Sequence, residues 1–534
     1  ELVDRASTSL SEEDAELFRK IVDSYSYLSE VIADKNTSIN RLRKLMFGSS
    51  TEKTKHVVGK DEPQANPDPS ADDHHDSPPD ESNPASDESK THSAKRPGHG
   101  RMGADKYPGA NQVDVKHNQL CEGDACPECD GGKLYEKTPK VIVRIVGQPP
   151  LGATVYRLQK LRCHLCGKLF TASDPDAATG KKYDETAASM IGLLRYGAGL
   201  PFNRLDRLQR SFEIPLPAST QWDVVDAITP QIVPAYEALI QTAAQGDVLH
   251  NDDTTIKILQ LMKERAAQEN TEHDDERTGM FTSGVVATSD AYRIALFFSG
   301  RQHAGENLSD VLRHRAEELS APIQMCDGLS RNLPQELETI VANCIAHARR
   351  KFVDIYDRFE DECRYVLECF RVVYHNDKIA RQKKMSPEKR LRHHRIKSEQ
   401  TMNRLHRWLE RQFDEKLVEP NSALGEAINY LLKRWDALTL FLREPGAPLD
   451  NNIAENALKR AIIHRKNSLF YRTERGARVG DMFMSLIYTC ELNGVNPFDY
   501  LNQLQRNADE VAAQPRQWLP WNYSGRISGK PAAA

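Results

Sequence analysis

The sequence predicts a multidomain α+β protein, and three features along the chain predict it. Apolar residues recur in a heptad rhythm between Phe18 and Met46, and two Cys-x-x-Cys pairs follow in residues 121–170. Beyond them, a strand-rich segment gives way to long stretches with helical periodicity. A chain of 534 residues is long enough for several domains of roughly 100–200 residues each.

Residues 1–53 are predicted to contain a coiled-coil helix. Its seam positions are Phe18, Ile21, Tyr25, Leu28, Ile32, Ile39, Leu42 and Met46, and Lys35 interrupts them. Four heptads are enough to indicate a coiled coil. An amphipathic helix packed on its own protein is the alternative. We favour self-association into a homo-oligomer, because a long linker separates this helix from the following domains.

Residues 54–118 are predicted to form a disordered acidic linker. Ten acidic residues and no Lys or Arg lie between Asp61 and Ser89, so the chain outside this segment carries +5 although the net charge is −5. Segments this polar do not bury enough apolar surface to fold. With no apolar run of membrane-spanning length and no recognisable secretion signal, the sequence suggests a cytoplasmic protein.

Residues 119–172 are predicted to form a zinc ribbon. The four ligands would be Cys126, Cys129, Cys163 and Cys166. Each Cys-x-x-Cys turn supplies two thiolates, and two such turns complete the tetrahedron that Zn²⁺ prefers. A closed four-thiolate sphere indicates a structural ion, whereas a redox-active cysteine pair is the less favoured alternative.

Residues 184–232 are predicted to be helical and to include a candidate helix-turn-helix. The first helix is expected at about residues 204–212 and the second from about Ala218, with Ser219, Gln221 and Asp226 on its exposed face. The start of the second helix would meet base edges in the major groove. An ordinary helical hairpin is equally compatible, because the second helix carries no Lys or Arg.

Residues 245–352 and 446–480 are predicted to form an α/β domain with a mixed sheet, in the order β-β-β-α-β-α-β. Residues 353–445 form a helical insertion and residues 481–534 a helical C-terminal region. The expected strands are residues 247–259, 279–290, 291–300, 322–328 and a short one before Cys344, and the expected helices include residues 304–317 and a block from 451 to about 493.

Three acids of this domain are candidate metal ligands. Asp252 interrupts an apolar strand, Asp327 ends another strand before Gly328, and Glu455 lies just inside a helix start near Asn451 or Asn452. A carboxylate on a buried strand is costly unless it is paired or binds a cation. Phosphodiester chemistry uses pairs of Mg²⁺ or Mn²⁺ ions held by such oxygens. Spacing alone is weak evidence in a chain with 77 acids.

The segments around these acids closely resemble the transposases of the insertion sequence 66 family. The matching motifs are LMFGSSTEK, VLHNDDT, IQMCDG, NCIAHARRKF, DNNIAENALKRAIIHRKNSLFYRTERGA and SLIYTCELNGVNPFDYL. Two departures are Asp253, where the family commonly has Glu, and GLSRN after Asp327, which lacks the usual Tyr. Neither departure removes one of the three acids.

The resemblance implies an RNase H-like DDE domain in which Asp252, Asp327 and Glu455 are catalytic and bind Mg²⁺ or Mn²⁺. It implies a DNA transposase that cleaves insertion-sequence ends, transfers strands into double-stranded target DNA and acts at the nucleoid, with small accessory proteins of the same element as candidate partners. The alternatives are a catalytically inactive DNA-binding regulator derived from a transposase, and a related nuclease that cleaves without joining.

Basic residues beside the candidate site are predicted to contact DNA. They are His347, Arg349, Arg350, Lys459, Arg460, Arg465 and Lys466. Basic clusters beside a carboxylate site fit a polyanionic substrate. Residues 378–397 also hold nine Lys or Arg against one acid, which we interpret as a solvated helix face.

Overall fold

The computed structural model describes residue 20 and residues 121–125, 127, 132–135, 148, 150–162, 169–173, 175, 180–268, 279–334 and 337–527. The predicted zipper (apart from Lys20), the acidic linker and the four zinc-ribbon cysteines lie outside these residues. The chain divides into two compact units, one of which is residues 63–152. In that unit, Ala125 and Lys133 form an isolated antiparallel bridge. Among the described residues, no helix has the length and apolarity that a membrane span needs.

The other unit comprises residues 1–62 and 153–534, and its described elements start with a short hairpin and a group of helices. Strands β1 (Lys160–Arg162) and β2 (Leu169–Thr171) pair antiparallel on either side of the second predicted cysteine pair. The helices that follow are α1 (Glu185–Gly192), a π-helical turn (Leu193–Gly197), α2 (Phe202–Ser211), α3 (Ala218–Ala227) and α4 (Thr229–Ala243).

Helices α2 and α3 form the predicted helical hairpin, but its exposed face differs from the prediction. Gln221 is fully buried, because its amide donates to the carbonyl oxygens of Phe202 and Leu216 and thereby joins the two helices. Asp226 accepts from Arg475 at 2.9 Å. Gln221 is therefore a structural residue of the hairpin, and Ser219 is exposed as expected.

A five-stranded mixed sheet forms the centre of this unit, which confirms the predicted mixed α/β architecture. The strands are β3 (Val248–Thr255), β4 (Phe281–Thr288), β5 (Arg293–Gly300), β6 (Ile323–Cys326) and β7 (Ile340–Asn343). Their spatial order is β5-β4-β3-β6-β7. The pairs β3–β4 and β4–β5 are antiparallel, whereas β6 runs parallel to both β3 and β7. The middle residues of β4 and β5 are buried, whereas β3 carries the polar sequence HNDDTT after its first two apolar residues.

The order of elements differs from the predicted one in two places. The predicted first strand ends at Thr255, and helix α5 (Leu259–Gln268) follows it, because LQLMKERAAQ consists of straight-chain helix formers and alanine. Between β6 and β7, the described residues form a 3₁₀ turn (Ser330–Asn332) where the prediction had a helix. Helix α6 (Ala304–Leu312) forms as predicted but ends five residues early.

Helical layers cover the sheet. Helix α7 (Ile345–Asp354) follows β7, and α13 (Asn452–Ser468) crosses β3 and β4, where a side chain at Gly284 would meet Leu458 at 3.1 Å. Helix α14 (Glu474–Leu492) packs along β5 and continues across the boundary predicted between residues 480 and 481. Helices α15 (Pro497–Arg506), α16 (Ala508–Ala513) and α17 (Tyr523–Ile527) complete the chain's described part.

The predicted helical insertion is present between α7 and α13. It consists of α8 (Glu360–Gln382), α9 (Pro387–Lys397), α10 (Glu399–Asp414), α11 (Ala423–Lys433) and α12 (Trp435–Leu438). Its buried apolar residues are continuous with those of β6, β7 and α7, so the insertion shares a core with the sheet. Inside it, buried Asp377 joins α8 to α9 through Arg390 at 2.7 Å and His394 at 3.2 Å.

A buried histidine on α13 predicts a pH-dependent stability. His464 stacks between Tyr196 and Tyr471, and burial lowers the pKa of its imidazole to about 3. The folded state therefore binds fewer protons than the unfolded state between pH 6.5 and pH 3, so stability is lost as the pH falls through that window. The free energy of unfolding should fall between pH 7 and pH 5, and we expect His464→Phe to make that fall smaller by about 2 kcal/mol. Denaturant titrations at the two pH values measure it.

The exposed His375 provides the control for this prediction. His375→Gln should leave the pH dependence unchanged. A His464→Phe variant with the same acid sensitivity as the unaltered chain would contradict the assignment.

Candidate active site

Asp252 lies in the middle of the sheet, on β3, where it is opposite Gly284 of β4. Its carboxylate accepts a hydrogen bond from the Asp253 backbone N–H at 2.8 Å. On its other side, β3 pairs in parallel with β6. The last residues of this pairing are His250 of β3 and Met325 of β6. Continuing this parallel register by two residues sets Asp252 level with the residue that follows β6, across one strand spacing of about 4.8 Å.

That residue is Asp327, and its carboxylate has a defined orientation. It accepts from the side chain of Asn332 at 2.6 Å and from the backbone N–H of Leu329 at 3.1 Å. Gly328 permits the sharp exit from β6, because its φ of +82° favours glycine. The Tyr430 hydroxyl from the insertion donates to the Asp327 carbonyl at 2.9 Å. The insertion thus supports the end of β6 directly.

A buried amide network fixes the position of Asn332. Both Asn251 and Gln324 donate to its backbone carbonyl at 2.7 Å, and Gln324 also donates to the Asn251 side chain at 2.9 Å. These three amides are fully buried. Because unpaired buried amides are costly, the network holds the turn after β6 in one geometry and orients Asp327 through Asn332.

Glu455 reaches the same region from α13. It lies in the first turn of this helix, as predicted, and α13 packs on β3. Asn451, which precedes the helix, is fully buried and connects it to β3: its amide donates to the Asn251 carbonyl at 3.0 Å, and its oxygen lies 3.2 Å from His250 Nδ1. Asn451 therefore fixes the helix that carries Glu455 against the strand that carries Asp252.

The three sequence-predicted carboxylates lie in one region of the fold, where the charges of Asp327 and Glu455 act on Asp252. Burial, together with the negative charges of Asp327, Asp253 and Glu455, raises the pKa of Asp252 to about 7 against the opposing effect of its backbone hydrogen bond. Carboxylates that share one site cannot all ionise without a compensating charge. The cluster therefore favours either a retained proton or a bound cation.

Asp253 points away from this cluster. Its oxygens lie 2.9 Å from His303 Nδ1 and 3.3 Å from Arg331, and its side chain is almost fully buried. These two basic groups occupy both oxygens of Asp253. The position where the related family commonly has Glu is thus used here to hold α6 and the turn after β6.

The predicted DNA-contacting residues occupy different environments. Lys459 and Lys466 are exposed on α13, whereas Arg349 is buried. Arg460 forms an ion pair with Glu491, and Arg465 donates to the hydroxyls of Thr254 and Thr255. His347 lies 3.6 Å from Glu455, and Arg350 is partly exposed.

Sequence reasoning missed the residues that position the carboxylates. Asn451 and Asn332 occur in polar stretches that read as a helix start and a loop, and Gln324 occupies an apolar strand. The available signal was the amide of Gln324 within an apolar strand, because an amide buried there requires hydrogen-bond partners. Cys344 was likewise assigned no role from the sequence, although it precedes His347 by three residues, a spacing that sets two residues on one helical face.

The fold and the site define the class: an α/β protein with a carboxylate cluster at the centre of a mixed sheet. Residues 181–479 match the family described as Transposase IS66 family, and this match covers more than half of the chain. The chain belongs to that family.

Three relatives are all from Sinorhizobium fredii (strain NBRC 101917 / NGR234). The uncharacterized protein y4hP is 26% identical over 411 residues, covering 74% of this chain and 73% of its own. The uncharacterized protein y4qI is 29% identical over 64% of this chain and 62% of its own, and y4jD is 30% identical over 42% and 40%. No solved structure matches the chain.

Proposed function

We propose that this chain is a DDE transposase that cleaves DNA at the ends of its insertion sequence and transfers the freed strands into target DNA. The proposal is supported by the placement of Asp252 on β3, of Asp327 directly after the adjacent strand β6 and of Glu455 on the packed helix α13. It is also supported by the action of the Asp327 and Glu455 charges on Asp252. Membership of the IS66 family supports a transposase-type activity. The DDE roles of these three residues are part of the proposal.

The strand arrangement supports an RNase H-like assignment for the catalytic domain. Three consecutive antiparallel strands are followed by two parallel strands that add on the other side of the first one. The first acid lies on this central first strand and the second acid follows the adjacent parallel strand. The helical insertion then separates the second acid from the third, as the resemblance implies.

The donor set fits a pair of hard divalent cations, Mg²⁺ or Mn²⁺. All three candidate ligands are carboxylates, and the charges of Asp327 and Glu455 act on Asp252. Carboxylate oxygens that share a site in this way suit Mg²⁺ and Mn²⁺. Such ions, when bound, activate the attacking oxygen and stabilise the leaving oxygen of the phosphodiester.

The chain's own residues position and prepare the site for this chemistry. Asp252, Asp327 and Glu455 would hold these ions through their carboxylate oxygens. Asn332 holds one oxygen of Asp327, so its orientation does not depend on substrate. Asn451 holds the first turn of α13 in place through its contact with Asn251. A prearranged ligand set reduces the reorganisation needed during each displacement.

Two exposed lysines of α13 extend the site toward a phosphate backbone. At 100° per residue, Lys459 and Lys466 lie within about 40° of Glu455 around the helix, and about 6 and 16 Å along its axis. Both are exposed. We propose that they contact DNA phosphates beside the scissile bond.

The zinc ribbon and the zipper complete the proposed organisation. Cys126, Cys129, Cys163 and Cys166 would bind a structural Zn²⁺, and the N-terminal helix would pair two copies of the chain so that both element ends are held together. Small proteins encoded by the same element are further proposed partners.

Strand cleavage and joining tests the proposal. Purified protein is incubated with labelled DNA carrying the ends of its own element, target plasmid, and Mg²⁺ or Mn²⁺. We expect 3′-end cleavage and joined products, and none with scrambled ends or with EDTA. Specific binding without any cleavage, also after accessory proteins are added, would favour the regulator instead. Cleavage without joining would favour a nuclease.

The lysine contacts predict a change in salt dependence. We expect Lys459→Ala/Lys466→Ala to weaken DNA binding similarly for all sequences and to reduce the slope of log K against log salt by about 2. Fluorescence anisotropy between 50 and 200 mM salt measures this slope. Lys416→Ala, an exposed lysine of the insertion, is the control. An unchanged slope would remove these lysines from the interface.

A further inference from the structure

Three metal-binding side chains meet where α7 and α13 begin. Cys344 precedes the first residue of α7, His347 lies in its first turn, and Glu455 faces them from α13. The Cys344 Sγ, one His347 ring nitrogen and one Glu455 oxygen all lie within 4.8 Å of one another. This set differs from the carboxylate cluster because it combines sulfur, nitrogen and oxygen.

Two of these atoms lack the hydrogen bonds that buried polar atoms normally have. His347 Nδ1 and Glu455 Oε1 are both buried without a hydrogen-bond partner, and they lie 3.6 Å apart. This separation exceeds the range of about 2.7–3.2 Å for a hydrogen bond. It is close to the roughly 3.3 Å between two ligands of a tetrahedral ion with bonds of about 2.0–2.1 Å.

The third side chain is prepared for ligation by its surroundings. Cys344 is fully buried, and its Sγ accepts a hydrogen bond from the Asn451 backbone N–H at 3.3 Å. This backbone donor orients the sulfur, and because burial raises the pKa of the Cys344 thiol to about 12, a bound cation would have to displace its proton. The same Asn451 fixes the start of α13, so the two helices present their ligands from fixed positions.

We propose that Cys344, His347 and Glu455 bind a borderline-soft divalent ion of the zinc class. Thiolate and imidazole ligands select Zn²⁺ or Co²⁺ and are poor ligands for Mg²⁺. Glu455 has two carboxylate oxygens, so it can contribute Oε1 to this ion and the other oxygen to the carboxylate cluster. The ion would fix Glu455 relative to α7 and would differ in chemistry from the ions at Asp252 and Asp327.

Cobalt absorbance tests the proposal without DNA and without catalysis, so its failure is distinct from failure of the proposed function. The full chain, freed of metal, is titrated with Co²⁺ while thiolate-to-cobalt charge-transfer and d–d bands are recorded. Cys344→Ala is compared with Cys363→Ala, a fully buried cysteine of α8. Any cobalt bound by the predicted ribbon cysteines contributes equally to all spectra and cancels in the differences.

We expect Cys344→Ala to lose part of the charge-transfer band, and Cys363→Ala to retain all of it. His347→Gln should weaken cobalt binding at this site by at least about tenfold, which is the usual cost of losing even an outer partner of a metal ligand. If Cys344→Ala does not fold by circular dichroism, His347→Gln decides the question. Full cobalt absorbance in Cys344→Ala, or unchanged affinity in His347→Gln, would contradict a metal site formed by these three residues.

Discussion

Asp252→Asn, Asp327→Asn and Glu455→Gln should each reduce DNA cleavage and strand joining by at least about 10³-fold. Each change removes one charged ligand from a site that needs all three to hold its cations. A 10³-fold loss corresponds to about 4 kcal/mol of transition-state stabilisation. Denaturing gels of end-labelled substrate, with Mg²⁺ or Mn²⁺, measure both steps.

A second measurement separates loss of ligands from loss of fold. Because the neighbouring charges raise the pKa of Asp252, neutralising it relieves repulsion in the metal-free protein. At pH 8 and without metal, we therefore expect Asp252→Asn to have the same unfolding temperature as the unaltered chain, or a higher one. The variant should also still bind DNA ends. Asp310→Asn, an exposed acid of α6, should leave cleavage unchanged. Activity retained by any of the three variants would show that its acid is misassigned.

Asn451→Ala should destabilise the protein by about 1–3 kcal/mol and reduce cleavage by at least about tenfold. The change deletes the bonds to the Asn251 carbonyl and His250, and leaves buried groups on β3 without partners. It also frees the start of α13, so Glu455 is no longer held at a fixed distance from Asp252. Denaturant titration measures the stability, and the metal concentration needed for half-maximal cleavage measures the positioning.

The metal requirement distinguishes positioning from general destabilisation. A positioning role for Asn451 predicts that higher Mn²⁺ partly restores cleavage, because the ligands must then be gathered by the ion. Asn429→Ala is the matched control, since Asn429 donates to Pro420 at the surface of the insertion. If Asn451→Ala lost stability yet kept both cleavage and metal affinity, Asn451 would have no role in positioning Glu455.

The local patterns of the chain predicted most of the sheet and the position of the acids. Alternating and continuous apolar runs indicated β3, β4 and β5, and the Asp–Gly pair marked the end of β6. The helix start before Glu455 was also recognisable. These features depend on neighbours in sequence, and the family resemblance joined them into one site.

The features that were not predicted depend on contacts between distant residues. Gln221 was expected on a helix surface, but carbonyl groups of α2 and the inter-helix turn bind it in the interior. The predicted first strand was extended to Leu259, but the chain leaves the sheet after Thr255, and Ile258 instead forms a bridge with Tyr471, more than two hundred residues away. The Asn332–Gln324 contact, likewise, exists only once β6 and its turn are folded.

Iron-directed cleavage of the polypeptide tests the central claim most directly. Fe²⁺ placed in the proposed site, with ascorbate and peroxide, generates hydroxyl radicals that cut the nearest backbone. We predict cuts in β3 near Asp252, after β6 near Asp327 and at the start of α13 near Glu455, all suppressed by excess Mn²⁺ and absent in Asp252→Ala. Cuts confined to other segments, or unchanged cuts in Asp252→Ala, would contradict a metal site formed by these three carboxylates.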